Sequence, residues 1–347
     1  MAVDTPQTTV PPQQAISRKM SAAFEKVSNA LAETEVAVVV CHVHPDADAV
    51  GSASAMVMAL RQRGIRAVWT YGETDAPSKS LLTIPGWDAF VPMDELPEDI
   101  RIDTWIAVDC ASTQRLGALA DRMVSADRLV VIDHHDSNEN FGDINMVDVE
   151  AESTTMLLLD FFEVWGVKLT PDMAHALYAG LLTDTVRFQF GRPRMHLAAA
   201  KLLGRGPDPR LIGEQLTGGH PFEFLPFVGA VFSTAEFAPE WGGGAGLVHV
   251  TVSNETMKSV GHDEVEAVVN IVRTTTSGDV TVVLKEYEPN YWTLSLRSTK
   301  DIDVSQVAGF LGGGGHIRAA GCSVEGTRED VLAALQSASE TAIASRR

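Results

Sequence analysis

The first half of the chain alternates between segments of helical spacing and short apolar runs. Helical spacing is clearest over residues 17–34, where apolar side chains recur at every third or fourth position. A continuous apolar run, typical of a strand buried on both faces of a parallel sheet, follows at 36–41, and strand-like segments come next at 65–71, 104–108 and 129–132. Further helices are predicted at 49–63, 153–165 and 171–182. This alternation predicts an α/β fold that begins with a doubly wound, mainly parallel sheet.

The second half predicts a smaller α/β domain. Glycine and proline interrupt the pattern between residues 193 and 222, which indicates a connector. Beyond it we predict strands at 247–252, 280–287 and 291–297, and helices at 265–274, 304–311 and 328–344. The sequence therefore divides into a disordered arm at 1–15, a first domain at 16–192, the connector at 193–222 and a second domain at 223–347.

Composition supports two folded domains and limits the class of partner. Apolar residues make up 45% of the 347 positions, which is enough for two cores. The formal charge of −19 argues against a protein that binds long duplex nucleic acid, because such binding depends on many lysine and arginine contacts to phosphate. A small phosphorylated substrate remains compatible, since bound divalent metals and a few local arginines reverse the charge inside a cleft.

The cysteines and the termini favour a cytoplasmic protein that does not associate with membranes. Cys41, Cys110 and Cys322 are odd in number, so we expect reduced thiols and not a disulfide framework. No stretch is apolar over the roughly 20 residues that a membrane helix needs. The N-terminal residues lack the basic and apolar regions of a signal peptide.

Histidine and aspartate cluster where four predicted elements end, and such ends form the ligand site of a doubly wound sheet. The clustered residues are His42, Asp46 and Asp48, then Asp109, then Asp133, His134 and His135, and finally Asp184. Ligands delivered by several segments are typical of a metal pair, and a donor set rich in carboxylates suits Mn²⁺ or Mg²⁺. Separate structural roles would have to explain four clusters at once. Asp109 ends a strand in mid-sheet and is the candidate bridge between the two ions.

These motifs resemble those of the DHH phosphoesterase superfamily, which is named for the tripeptide at residues 133–135. The four N-terminal motifs of that superfamily occur here in order. The glycine-rich segment at 312–321 is similar to the motif of the associated DHHA1 domain. The resemblance is strongest to the bifunctional oligoribonuclease and 3′-phosphoadenosine 5′-phosphate (pAp) phosphatase group. It implies a hydrolase whose active site lies in the cleft between a DHH domain and a DHHA1 domain.

The resemblance also assigns roles to individual residues. It implies one metal ion held by His42, Asp46 and Asp109, and a second held by Asp48, Asp109, His134 and Asp184. Mn²⁺ is the expected ion, with Mg²⁺ and Co²⁺ as alternatives. A water activated by the two ions would attack phosphorus. Asp133 would orient its neighbours, and His135 would contact the scissile phosphate.

The second domain is expected to bind the substrate. The implied contacts are Arg297, Gly314, Gly315, His316 and Arg318, in a segment where glycines allow close approach to phosphate. Arg115 is a further candidate, weighed against an ordinary surface ion pair. The implied substrates are short oligoribonucleotides such as pApA, pAp, and cyclic di-AMP, and a homodimer is expected.

Three alternative functions share some of these sequence features. One is a cyclic dinucleotide sensor with a vestigial metal site, against which the complete set of ligands counts. Another is a single-stranded DNA exonuclease of the same superfamily, which would normally carry additional DNA-binding domains. A class II inorganic pyrophosphatase would carry a different C-terminal domain, without the glycine–histidine motif.

Overall fold

A computed structural model describes residues 18–96, 101–300 and 302–344. Contacts divide it into two compact units, the first built from residues up to 216 and the second from residue 217 onward. Two short segments, 78–80 and 135–137, group with the second unit. The arm predicted at 1–15 lies outside the described residues.

The first unit contains a five-stranded parallel sheet in the order β2-β1-β3-β4-β5. Its strands are β1 (Val36–Cys41), β2 (Arg66–Tyr71), β3 (Thr104–Val108), β4 (Leu129–Asp133) and β5 (Ile144–Val147). The chain runs outward from β1 to β2 and then returns to β3 on the other side. The strand order therefore reverses between β1 and β3, which is the point at which such sheets bind ligands.

Helices cover both faces of this sheet, because successive side chains along β1 pack into two different cores. Val39 and Cys41 pack into a core that is shared with most helices of the unit, whereas Val38 and Val40 pack into a second core on the opposite face. The helices are α1 (Arg18–Ala32), α2 (Ala47–Gln62), α3 (Ala120–Val124), α4 (Thr154–Trp165), α5 (Pro171–Asp184), α6 (Pro193–Leu203) and α7 (Pro209–Thr217). The predicted doubly wound, parallel sheet is thus confirmed.

Capping residues fix where the helices beside the sheet begin. Asp46 caps α2, Ser153 caps α4 by accepting from the N–H of Met156, and Thr170 caps α5 immediately before Pro171. Two of these helices meet the ends of the strands: α2 begins after β1, and α5 ends at Asp184.

The segment predicted as a connector contains two helices, α6 and α7. Met195 and Leu202 on α6 and Ile212 on α7 are buried in the core of the first unit. A loose linker would leave such side chains in water, at a cost of about 1.5–3 kcal/mol for each. We therefore propose that the first domain extends to about residue 216 and does not end at 192.

The second unit contains a six-stranded mixed sheet in the order β10-β11-β9-β8-β7-β6. Only β7 and β8 pair in parallel; the other neighbours are antiparallel. The strands are β6 (Glu236–Ala238), β7 (Leu247–Val252), β8 (Val280–Glu288), β9 (Tyr291–Ser298), β10 (Gly314–His316) and β11 (Ala319–Glu325). This second, smaller α/β unit was also predicted.

Two separate cores pack against the two faces of the sheet in the second unit. Val282, Leu294 and Leu296 point into one core, while Val250 and Val283 point into the other. The helices are α8 (Phe224–Phe232), α9 (Trp241–Gly244), α10 (Asn254–Met257), α11 (His262–Val272), α12 (Val304–Phe310) and α13 (Arg328–Ala344).

All three cysteines are buried and form no disulfide. Among the described residues, no helix is both long enough and apolar enough to cross a membrane.

Candidate metal centre

The first unit gathers histidine and aspartate side chains at the carboxyl edge of its sheet. His42 follows β1, Asp109 follows β3, and His134 follows β4. Asp48 lies in the first turn of α2, and Asp184 is the last residue of α5. The edge is the one at which the strand order reverses, so the fold and the chemistry point to the same place.

His42, Asp46 and Asp109 form one group. The Nε2 atom of His42 lies 3.8 Å from Oδ2 of Asp46 and 3.6 Å from Oδ2 of Asp109. One donor atom from each of the three lies within 4.8 Å of the others, which is the spacing of ligands around a single ion. This group contains the residues expected for the first metal.

Asp48, His134 and Asp184 form a second group with the same spacing. The Nε2 atom of His134 lies 3.2 Å from Oδ2 of Asp184 and 4.0 Å from Oδ2 of Asp48. It also lies 3.7 Å from Oδ1 of Asp109. Asp109 therefore presents Oδ2 to the first group and Oδ1 to the second, which is the arrangement of a bridging carboxylate.

The backbone at Asp109 is itself unusual. Its φ of 56° lies in the left-handed region, where a non-glycine residue is strained. The N–H of Asp109 donates to the carbonyl of Ile132 at 3.0 Å, which ties this turn to the end of β4. Strained residues of this kind cluster at functional sites, where the surroundings hold them in place.

The start of α4 holds the two buried carboxylates. The N–H of Thr154 donates to Oδ2 of Asp48 at 2.7 Å, and Thr155 donates to Oδ1 of Asp48 from both its N–H and its hydroxyl. The Thr154 hydroxyl donates to Oδ1 of Asp109 at 2.8 Å. Sequence reasoning identified only the helix start here, because nothing in the spacing connects Thr154 to a carboxylate some 106 positions earlier.

Both histidines direct Nε2 toward the carboxylates. In His42 the other ring nitrogen, Nδ1, lies 2.8 Å from the carbonyl of Val43, and in His134 it lies 3.3 Å from the carbonyl of Ala151. In His134, a proton on Nδ1 can be donated to the carbonyl of Ala151, which leaves the lone pair of Nε2 for a metal. Arg115, predicted as a substrate contact, places Nη2 2.8 Å from Nδ1 of His42.

Asp48 and Asp109 are buried close to other carboxylates, and a bound cation would offset their mutual repulsion. Burial, together with the charge of Asp184, raises the pKa of Asp48 to about 7. Burial and the charge of Asp48 raise the pKa of Asp109 well above its usual value. Burial alone would lower the pKa of His134, but its hydrogen bond to Asp184 and the surrounding carboxylates raise it. Carboxylate oxygens with two imidazoles are a donor set that fits divalent cations such as Mn²⁺ or Mg²⁺.

Asp133 braces the loop that follows β4. Its Oδ1 accepts the N–H of His134 at 2.8 Å, and its Oδ2 accepts from the Asn138 side chain at 2.5 Å. The same amide nitrogen of Asn138 donates to the carbonyl of Cys110, the residue after Asp109. Sequence reasoning did not identify Asn138.

His135 is half-buried and groups with the second unit, so its predicted contact with the scissile phosphate stays a prediction.

The second unit brings the expected substrate contacts into one region. His316 on β10 pairs with Ala319 on β11, and Ala319 pairs with Arg297 on β9. Residues directly opposite in antiparallel strands point to the same face, so His316 and Arg297 share a face with only an alanine between them. Arg318 lies in the β10–β11 turn, with Nη1 3.3 Å from the hydroxyl of Ser298. Burial and the charge of Arg273 lower the pKa of Arg297 to about 10.

The glycine run forms the start of this β-hairpin. A Cβ atom on Gly313 would lie 2.1 Å from the carbonyl of Gly321, and one on Gly315 would lie 2.5 Å from the carbonyl of Ala319. These two glycines are required by the close approach of β11. Gly314 differs, because a Cβ atom there would meet nothing within 4 Å. Gly312 also has an open Cβ position, but its φ of 78° lies in the left-handed region that favours glycine. Gly314 is therefore the glycine of this run that neither packing nor backbone conformation explains.

Comparisons with known proteins identify both domains of the chain. The DHH family, N-terminal domain, matches residues 36–181, and the DHHA1 domain matches residues 247–345. The chain is 30% identical over 290 residues to the bifunctional oligoribonuclease and PAP phosphatase NrnA of Thermus thermophilus, covering 82% of this chain and 83% of that protein. It is 27% identical over 312 residues to the cyclic-di-AMP phosphodiesterase GdpP of Geobacillus thermodenitrificans, covering 83% of this chain and 44% of that protein.

A solved structure shows the same fold. The crystal structure of an exopolyphosphatase-related protein from Bacteroides fragilis superposes with a TM-score of 0.83 at 22% identity, covering 95% of this chain and 98% of that one. Both domain matches follow the order predicted from the motifs, and together with the Thermus relative they extend over most of the chain. The chain therefore belongs to the DHH/DHHA1 phosphoesterase superfamily.

Proposed function

We propose that the protein is a divalent-metal-dependent hydrolase of short nucleotide substrates. Membership of the DHH/DHHA1 superfamily places it among the phosphoester hydrolases. The names of two relatives point to the substrate class, because one is an oligoribonuclease and PAP phosphatase and the other a cyclic-di-AMP phosphodiesterase. The proposed reactions are hydrolysis of pApA and other short oligoribonucleotides to mononucleotides, of pAp to AMP, and of cyclic di-AMP.

The observation that carries this proposal is the position of Asp109. Its two carboxylate oxygens face two different histidines at 3.6 and 3.7 Å, and each histidine belongs to a separate group of three donors. A carboxylate that served only as a structural hydrogen-bond acceptor would have no need of two such groups. We assign His42, Asp46 and Asp109 to one ion, preferably Mn²⁺, and Asp48, Asp109, His134 and Asp184 to the other.

Two bound ions would supply Lewis acidity and lower the pKa of water, so that attack on phosphorus proceeds at neutral pH. The protein's own residues would do the positioning. Thr154 and Thr155 hold Asp48 and Asp109 in fixed orientations, which spares the site from reorganising during the reaction. Asp133 holds the backbone of His134.

Substrate contacts complete the proposed mechanism. We assign to His135 a contact with the scissile phosphate, where it either polarises a non-bridging oxygen or donates a proton to the leaving group. Arg297, His316 and Arg318 would bind another phosphate or the nucleotide, with Gly314 and Gly315 allowing close approach of the backbone. Arg115 contacts His42, so we assign it to the part of the substrate that would lie nearest the metal ions.

We also propose that the enzyme works in the cytoplasm and as a homodimer. Three buried thiols without disulfides support the first part. The dimer is inferred from family resemblance, and sedimentation of the purified chain tests it.

The test of the function is release of AMP from pApA in the presence of Mn²⁺, with pAp and cyclic di-AMP assayed in parallel. We expect AMP from pApA that disappears when a chelator is added, and the relative rates then rank the three substrates. The Asp109→Asn variant is expected to lose turnover and to bind less metal. No product from any of the three, with metal verified as bound, would contradict the proposal and favour a nucleotide sensor.

A further inference from the structure

The loop between β1 and α2 makes a turn of an unusual kind. Its middle residue, His44, has a φ of 52°, in the left-handed region that disfavours side chains. The loop carries two members of the first metal group, since His42 and Asp46 each lie two positions from His44. A change of conformation at His44 would therefore alter the spacing of these two donors.

One acidic side chain holds this turn. Glu73, which follows β2, accepts the backbone N–H of His44 on Oε1 at 2.5 Å. Its other oxygen, Oε2, lies 3.1 Å from Nδ1 of the same histidine. The side chain of Glu73 is only 17% exposed, whereas that of His44 is 74% exposed. Glu73 is thus the more buried partner, and its carboxylate contacts both the backbone N–H and the ring of His44.

The remaining supports of the loop act on either side of His44. The N–H of Val43 donates to the carbonyl of Arg115 at 2.9 Å. Oδ1 of Asp46 accepts the N–H groups of Asp48 and Ala49 at the start of α2. Among the residues that the structure describes, neither of these supports bonds to the backbone of His44, so we attribute the left-handed turn to Glu73.

We propose that Glu73 is a positioning residue for the first metal group: it holds His44 in the left-handed conformation and thereby sets the separation of His42 and Asp46. The inference rests on the proposed two-metal function. It adds a residue that touches neither metal donor, identified only by its contacts with the turn between them.

The effect should be confined to one of the two metals. Asp48, in the second group, is held independently by Thr154 and Thr155 at the start of α4. Loss of Glu73 should therefore weaken the first metal while leaving the second in place. Removal of outer residues that orient metal ligands typically costs about 10–100-fold in metal affinity.

The experiment titrates Mn²⁺ into the metal-free full-length protein and follows free Mn²⁺ by electron paramagnetic resonance, which yields the number of ions and both affinities. We compare the wild type, Glu73→Ala, and the double variant Glu73→Ala/His44→Asn. Asparagine adopts the left-handed conformation more readily than most residues, so it should restore the turn without the carboxylate. Glu163→Ala is the matched control, because it removes a glutamate whose ion pair with Lys201 lies on α4 and α6.

We expect Glu73→Ala to weaken one Mn²⁺ by about 10–100-fold, and His44→Asn in the same chain to recover most of that loss. Glu163→Ala should bind both ions as the wild type does. Unchanged binding in Glu73→Ala would overturn the inference, and so would a loss that His44→Asn fails to recover. A wild-type protein that binds no Mn²⁺ would instead refute the two-metal function, and the positioning role with it.

Discussion

A carboxylate that is to serve two metal ions, as we propose for Asp109, has to be fixed by other groups. Its backbone is held in the left-handed region, and one of its oxygens also accepts the hydroxyl of Thr154. Asp48 receives three hydrogen bonds from Thr154 and Thr155. The two buried carboxylates therefore share one support, the first turn of α4, and their relative position follows from that turn.

Gly314 offers a direct test of the substrate site. A Cβ atom there meets no neighbour within 4 Å, so Gly314→Ala should leave the unfolding temperature unchanged. If the bare backbone exists to approach phosphate, the same change should raise KM for pApA by about tenfold, equivalent to about 1.4 kcal/mol of binding. Steady-state kinetics and a thermal melt measure both effects. Gly313→Ala is the contrasting variant and should lower stability, because its Cβ would meet the carbonyl of Gly321 at 2.1 Å.

At the residue scale, the sequence predicted the candidate metal ligands better than the residues that hold those ligands in place. His42, Asp109 and His134 stand out because each follows an apolar run, and the structure brings them together at one edge. Thr154 and Glu73 carry no comparable signal. A threonine at the start of a helix is common whatever its function, and a glutamate after a strand is unremarkable unless its partner across the fold is known.

The elements that carry the centre are packed unusually closely. Where α2 crosses α5, a Cβ atom on Gly51 would lie 2.4 Å from the carbonyl of Ala176, and one on Gly180 would lie 2.4 Å from Oδ1 of Asp48. The two helices thus meet through glycines, one of which leaves room for a metal-group carboxylate. Since Asp48 begins α2 and Asp184 ends α5, this crossing sets the distance between two members of the second group.

We predict that Gly51→Ala lowers the free energy of unfolding by about 1–3 kcal/mol, because overpacking forces the two helices apart. Turnover should fall as well, since Asp48 moves with α2. Urea unfolding and the pApA assay measure the two effects. Gly213→Ala on α7 is the control: its Cβ meets nothing within 4 Å, so a helical alanine there should be neutral or slightly stabilising. Equal stability of the two variants would contradict the close crossing.

A second prediction at this scale concerns pH. The carboxylate of Glu152 is 4% exposed and accepts from Arg192 at 3.0 Å and from Arg194 at 3.2 Å, joining the start of α4 to that of α6. Burial would raise the pKa of Glu152, but the charge of Arg194 and the hydrogen bonds from Arg192 hold it below its usual value. A carboxyl group with a lowered folded-state pKa stabilises the protein above its unfolded pKa, near 4.5, and this contribution disappears as the pH falls through the folded value.

Glu152→Gln should therefore be less stable than the wild type at pH 7 by about 1–3 kcal/mol, the cost of losing charge-assisted hydrogen bonds, because Arg192 and Arg194 keep Glu150 and Asp160 as partners. The difference in unfolding free energy between Glu152→Gln and the wild type should become smaller as the pH falls below about 4. Urea unfolding at several pH values provides the measurement. A difference that stays constant down to pH 3 would mean that the charge of Glu152 contributes nothing.

Some elements could not be predicted, for identifiable reasons. β5 has only four residues, with Asn145 among them, so its alternation is too short to recognise. α8 contains Pro226 in its first turn. Proline is tolerated at that position, but in the sequence alone it argues against a helix. β10 is formed by two glycines and a histidine, and glycine disfavours strands except where another backbone comes close. In each case the tertiary partner, and not the local sequence, decides the structure.

At the scale of the whole molecule, two separate units carry the two sets of side chains that we propose act on the substrate. The first unit supplies carboxylates and imidazoles from a parallel sheet, and the second supplies Arg297, His316 and Arg318 from a mixed sheet. These few cations are set in a chain whose formal charge is −19. Attraction for phosphate is therefore local, and a long polyanion would meet mostly negative surface.

Activity should accordingly depend on substrate length. We predict that kcat/KM falls by about tenfold or more between pApA and an oligoribonucleotide of about 20 nucleotides at low salt, because each added phosphate is repelled by the acidic surface. This difference in kcat/KM between the short and the long substrate should become smaller at higher salt, because salt screens the repulsion. Rates measured on a series of labelled oligoribonucleotides, at two ionic strengths, test this. Rates that do not depend on length would indicate a cationic path for longer strands.

The crossing of α2 and α5 also bears on how the chain would acquire the proposed metal ions. The residues assigned to the second ion stand at positions 48, 109, 134 and 184, so no short peptide contains them together. Contacts between such distant segments form late, because each requires a long loop to close. A nascent or partly folded chain would thus offer only scattered single ligands. Selective uptake of the pair of ions would mark the completion of folding, and loss of the ions would be an early sign that the unit has begun to open.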